Sequence, residues 1–176
     1  MYLRDACKIV KKYGNPLEET IPGNTEQPQC TDVLAEQLNE KVYKEAENFK
    51  VDSYARCQSD NDIKHALINY GPVLASIKWY DKYTFNGNKL IFDTNSSFGY
   101  HAIMIYGYTK EGWLCQNSWG DHWGVGGLFL YPYESKLTEA WSFVDAENTN
   151  VIKPVKNNWI KKLYKILNFI INLFSR

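Results

Sequence analysis

The chain carries no surplus of charge of either sign: among its 176 residues, 20 Lys+Arg are balanced by 20 Asp+Glu. A basic surface for neutralising phosphates is therefore not expected, and nucleic acid is not an indicated partner. It has only three histidines and four cysteines, Cys7, Cys30, Cys57 and Cys115. None of the cysteines forms a C-x-x-C pair and no zinc spacing is present, so no metal or other cofactor is expected. A low density of scattered cysteines favours free, mostly buried thiols over two disulfides, which leaves the redox compartment and the localisation open. No charged stretch followed by an apolar run opens the chain. Met1-Tyr2-Leu3-Arg4-Asp5 reads as the start of a helix, so a signal peptide is expected to be absent or already removed.

What is present is apolar and aromatic side chain. Hydrophobic residues make up 44% and aromatics 15%, enough to exclude a disordered chain. The length suits one good core, with room for an appendage. Residues 1–13 place Leu3, Ala6, Cys7, Ile9 and Val10 at helical spacing, and Gly14-Asn15-Pro16 ends that helix. Residues 17–29 are rich in Pro, Gly, Thr and Glu and read as loop, and 32–48 as a charged helix. Residues 51–57 alternate like a short strand. Ser59-Asp60-Asn61-Asp62 forms a cap for a helix over 63–70, closed by Gly71-Pro72. Beyond it the period becomes strand-like, with runs over 73–77, 102–108, 112–117, 127–131 and 141–144 separated by Gly, Asn, Asp and Pro. Such spacing predicts an α+β fold built on antiparallel sheet with barrel-type closure.

Two of these strands carry chemistry. His101 begins one and Asn117 ends the next, and an antiparallel hairpin through the Glu111-Gly112 turn brings both to one end of the sheet. A thiol nucleophile needs a base, and the imidazole needs a third group to fix its tautomer and ring angle. An amide oxygen can accept the second ring N–H without adding a full charge, and Trp119 stands where it shields that bond from water. Taken singly, a histidine entering a strand is an ordinary structural residue and Asn-Ser-Trp-Gly an ordinary turn. Their order and spacing together point to a base and its orienter.

The pattern Gly99-Tyr100-His101-Ala102, then Gly112-Trp113-Leu114-Cys115-Gln116-Asn117-Ser118-Trp119-Gly120, then Trp123-Gly124-Val125-Gly126-Gly127 resembles the papain-like cysteine peptidases. Asp62-Ile63-Lys64-His65-Ala66-Leu67 with Gly71-Pro72-Val73 resembles the family's entry into its β domain. Leu3-Arg4-Asp5-Ala6 through Lys12-Tyr13-Gly14 is similar to the helix that follows the nucleophile segment, most like bacterial and phage members. The resemblance implies a partial papain-like domain over 1–145, mainly its antiparallel β-barrel-type part with flanking helices. By it, His101 would be the catalytic imidazole and Asn117 its orienter. Trp119 and Ala102 would line the substrate site, together with the strand that begins at Val73.

The family's nucleophile lies in a Cys-Gly-Ser-Cys-Trp-type segment preceded by an oxyanion-donating glutamine, with the histidine about 130–150 residues downstream. Counting back from His101 puts that cysteine roughly 30 or more residues before Met1. None of the four cysteines carries the pattern. Cys7 lies between Ala6 and Lys8 with no upstream glutamine, Cys115 is on the hairpin itself and reads as core, and Cys30 and Cys57 have loop or edge contexts. The chain is thus expected to be inactive by itself. Two functions follow: the His/Asn part of a peptidase acting on peptide or protein substrates, completed upstream or by a companion chain; or a non-catalytic papain-fold module that binds partners.

Residues 146–156 read as a linker and 157–176 as an amphipathic helix. Lys161, Lys162, Lys165, Asn168, Asn172 and Arg176 share one side, and Trp159, Ile160, Leu163, Ile166, Leu167, Ile170, Ile171, Leu173 and Phe174 cover the rest, with Phe169 the exception. Its apolar part is shorter than the about 20 residues that span a bilayer. It is expected to pack on its own domain, to dock into a partner, or to lie on a membrane surface.

Overall fold

Leu3, Ala6, Cys7 and Val10 follow the i, i+3, i+4, i+7 spacing of a single helical stripe, and in α1 (Leu3–Tyr13) all four are buried. Asp5 in its first turn and Lys11 and Lys12 in its last complement the helix dipole. The computed structural model describes residues 2–17, 20 and 38–145 of the chain. The expected linker over 146–156, the amphipathic helix over 157–176, Cys30 and most of the expected loop over 17–29 lie outside them. The described residues divide into two compact units, one made of those up to Tyr54 with Phe143–Asp145 and one of residues 55–142.

In the first unit α1 stops at Gly14, whose N–H donates to the Val10 carbonyl at a φ of +82°. A Cβ at Gly14 would overlap the Ala46 carbonyl oxygen, so the close approach of two backbones here depends on glycine. Ala46 ends α2 (Glu40–Ala46), which buries Val42 and Ala46 one turn apart. The helix expected over 32–48 begins only at Glu40 within the described residues. Asn39 holds an extended conformation and its side-chain oxygen accepts from the Lys41 and Val42 N–H groups. An N-cap of this kind sets a boundary that periodicity cannot locate.

In the second unit the Ser59 cap forms as expected. Ser59 Oγ accepts from the Asp62 N–H, and the Asp62 carboxylate accepts from the Ser59 N–H, a full capping box for α3 (Asp60–Asn69). Ile63 and Ala66 turn inward. Lys64 holds its ammonium 5.4, 6.0 and 5.2 Å from the ring centroids of Tyr108, Trp113 and Tyr133, which fastens the helix to the sheet by cation–π contact.

The strands are β1 (Val51–Cys57), β2 (Val73–Tyr80), β3 (Tyr83–Asn86), β4 (Lys89–Phe92), β5 (Phe98–Tyr108), β6 (Gly112–Gln116), β7 (Leu128–Pro132) and β8 (Glu139–Asp145). They form one sheet in the order β1-β8-β2-β5-β6-β7-β4-β3. The pairs β2–β5, β2–β8, β3–β4, β5–β6 and β6–β7 are antiparallel, and β4 meets β7 in parallel. Ser142 of β8 donates to the Ala55 carbonyl of β1. β3 and β4 extend the sheet beyond the strands that alternation predicts. At four residues each they are too short to show a period, and Gly87-Asn88 joins them as a tight hairpin.

One face of β2 and β5 carries Val73, Ala75, Ile77, Ile103 and Ile105, which pack with Leu90, Trp113, Cys115, Phe129, Tyr131 and the inward side of α3. The β5–β6 ladder slips by one residue between Ile105 and Gly107, a bulge at Tyr106.

Gly14→Ala is expected to destabilise by about 3 kcal/mol, since it adds a backbone overlap to the strain of a positive φ. Gly126→Ala, with φ +65° but no atom within 4 Å of an added Cβ, is expected to cost about 1 kcal/mol. Denaturant melts of the two variants check this. Equal losses would show that the Ala46 approach contributes nothing.

Candidate active site

His101 lies on β5 two residues before Ile103, so strand alternation aims both side chains at the same, core-lining face. The imidazole therefore sits at the end of an apolar layer and is only 6% exposed. Asn117 immediately follows β6 and is wholly buried, its backbone held by its N–H donating to the Gly127 carbonyl. Continuing the Met104–Gln116 pairing by one step sets Asn117 across from Ile103, diagonal to His101 and on its face. Had the Gly107–Leu114 register run on unbroken, Asn117 would stand across from Met104, whose side chain leaves from the opposite face. The bulge at Tyr106 is thus what allows the two side chains to meet.

They meet at 2.8 Å, His101 Nε2 to Asn117 Oδ1. The Ser118 N–H donates to the same oxygen at 2.8 Å. A backbone N–H can only donate, so that atom of the amide is the oxygen, and the amide orientation is settled by its surroundings. Nε2 must then carry the ring proton and donate it. Nδ1 is left with the lone pair, which makes it the basic nitrogen. Asn117 Nδ2 is buried without a partner among the described residues, so the amide acts on its neighbours through its oxygen.

Burial pushes the His101 imidazole below the ordinary histidine range, and the Asn117 hydrogen bond works in the other direction without overcoming it. At neutral pH the ring is a neutral base. Aromatic rings close it in: Trp119 lies 4.9 Å from the imidazole centroid and Trp79 5.0 Å, with the two indoles 4.7 Å apart. Trp123 touches both indoles, and its Nε1–H donates to the Tyr83 hydroxyl.

The structure brings His101, Asn117 and Trp119 together and leaves Trp119 42% exposed. Ala102 is not in that cluster. It points to the other face of β5, buried and paired with Ser76. The motif does not reveal Trp79. Its only sequence signal is a position two residues after Ile77, which matters once the register pairs Ile77 with His101.

Three of the four thiols, those of Cys7, Cys57 and Cys115, lie among the described residues. Cys7 is fully buried in the α1 stripe. Cys115 is free and fully buried, its S–H directed at the Trp113 carbonyl, and burial pushes its thiol far up. Cys57 is free and half-buried, and burial, aided by the nearby Asp62 charge, raises it despite hydrogen bonding to Ser142. A reactive thiolate needs the opposite electrostatic surroundings. Among the described residues the site holds a buried imidazole and the amide oxygen that accepts from it.

The family model described as papain family cysteine protease matches residues 2–151. The cathepsin B-like cysteine proteinase 3 of Caenorhabditis elegans is 29% identical over 121 residues, 65% of this chain and 32% of that protein. The cathepsin B-like cysteine proteinase 1 of Haemonchus contortus is 31% identical over 94 residues, 51% of this chain and 28% of that protein. The chain thus spans about a third of the length of these relatives. Among solved structures, xylellain, a cysteine protease from Xylella fastidiosa, superposes with a TM-score of 0.68 at 25% identity, covering 82% of this chain and 62% of that one. A Carica candamarcensis cysteine protease shares the fold with a TM-score of 0.56 at 20% identity, over 80% of this chain and 67% of its own.

A histidine held below its ordinary value in the folded state binds a proton more readily when unfolded. Stability from His101 is therefore full above the unfolded value of 6.5 and is lost as pH falls towards the lower folded one. Its contribution to the slope is at most about 1.4 kcal/mol per pH unit. Replacing His101 with Gln is expected to flatten that part of a stability–pH curve, and Asn117→Ala to lower the imidazole pKa further in an NMR titration. An unchanged curve in His101→Gln would show that this imidazole titrates alike folded and unfolded.

Proposed function

We propose that this chain, which belongs to the papain family of cysteine proteases, supplies the imidazole and amide of a site that hydrolyses peptide bonds in peptide or protein substrates. The single observation that carries this reading is the buried His101 Nε2 to Asn117 Oδ1 hydrogen bond, whose oxygen is fixed by the Ser118 N–H. It leaves Nδ1 free to take a proton from a thiol and later to return it to the leaving amine. The attacking thiolate and the oxyanion donor come from polypeptide outside the described residues, either upstream in the same protein or in a companion chain. The match to only about a third of the relatives' length supports this. So do the full burial of Cys7 and the raised thiols of Cys57 and Cys115.

The chain by itself is expected not to cleave peptides. Mixed with a polypeptide carrying the family's Gln and Cys-Gly-x-Cys-Trp segment, it is expected to release product from a fluorogenic peptide. In that mixture His101→Ala should lower the rate by about 10³-fold, the scale of a lost general base. Asn117→Ala should lower it about a hundredfold, the scale of a misplaced one. Fragments that bind one another but stay silent would overturn the peptidase reading and leave a papain-fold binding module.

A further inference from the structure

We propose that Trp79 is a positioning residue for His101: its indole forms the strand-borne wall that keeps the imidazole in the orientation set by Asn117, an inference that rests on the reading of His101 as the base. A single hydrogen bond at Nε2 pins one point of the ring, whereas the torsion that turns an imidazole about its Cβ–Cγ bond is broad and soft. Something else must limit the swing if Nδ1 is to stay in one place. The Trp79 ring meets the imidazole at 5.0 Å and 66°, an edge contact, while Trp119 meets it at 4.9 Å and 44°. The two indoles touch each other at 4.7 Å, so the imidazole cannot turn without displacing one of them.

The two walls are not equivalent. Trp119 lies beyond the end of β6 and is 42% exposed. Trp79 lies within β2 and is braced by Tyr83 at 5.2 Å, Phe92 at 5.1 Å and Trp123 at 5.7 Å. A site held by a strand and its packed neighbours is more closely fixed than one held by a loop. The register explains how the indole reaches the ring. Trp79 is paired with Gly99, yet a Cβ built on Gly99 would meet nothing within 4 Å. The indole therefore does not lie over its direct partner. It leans along the diagonal to His101, a reach open to aromatic side chains across a ladder.

The test uses the full chain labelled with ¹⁵N-histidine, observed by NMR well above the imidazole titration, with exposed His65 and His122 as internal references. The wild type is expected to show the Nε2–H tautomer, a slowly exchanging Nε2 proton and NOEs from the Trp79 indole to the imidazole. Trp79→Leu, which keeps apolar bulk without a ring, should mix the tautomers and speed the exchange about tenfold, with amide protection of β2 and β5 unchanged. Trp79→Phe, which keeps a ring edge, should restore the wild-type behaviour. A folded Leu variant indistinguishable from wild type, or a Phe variant as perturbed as the Leu one, would overturn the assignment. So would the absence of indole–imidazole NOEs in the wild type, whatever becomes of the variants. None of these readouts involves hydrolysis, so they stand apart from the reconstitution experiment.

Discussion

Asn117 Oδ1 accepts two N–H groups at 2.8 Å, one from the Ser118 backbone and one from the His101 ring. The first makes the oxygen unambiguous and the second transfers that certainty to the imidazole tautomer. Everything chemical about the site follows from this one atom. A buried Nε2–H without an acceptor would cost about 1–3 kcal/mol, so the amide also makes burial of the ring tolerable. The scaffold serves the same atom: Gly127 anchors the Asn117 backbone, and the indoles keep the bond dry.

Burial and hydrogen bonding pull the imidazole in opposite directions, and burial prevails. That balance belongs to a ring without an anionic neighbour. A thiolate placed beside Nδ1 would favour the charged imidazolium, and the imidazolium would in turn hold the thiolate. Such a thiolate and the imidazole would then each be half of a coupled pair. The thiols of Cys57 and Cys115 are raised in their own environments, by desolvation first of all, and play no part in such coupling.

Local signals were legible from the residues: the Ser59 cap, the helical stripe of α1, the main strands, and the motif that pairs His101 with Asn117. Each is written within a few neighbouring residues. What escaped depends on pairing across the sheet or on a cap that competes with periodicity. β3 and β4 are too short to declare a period, and Asn39 caps α2 inside a run whose apolar pattern shows no break. Trp79 meets the imidazole only through the β2–β5 register, and the slip at Tyr106 has no composition signal. Ala102 is next to the imidazole in the chain but on the far face of its strand.

The slip at Tyr106 also constrains how such a hairpin can change over evolutionary time. Because side chains alternate with a period of two, deleting one strand residue between His101 and Asn117 exchanges inside for outside for everything on one arm. Lineages can lengthen or trim this hairpin only by steps that conserve parity within its strands, or by changes in the turn at Thr109–Glu111. An odd-numbered indel within either strand would part His101 from Asn117 while altering neither residue.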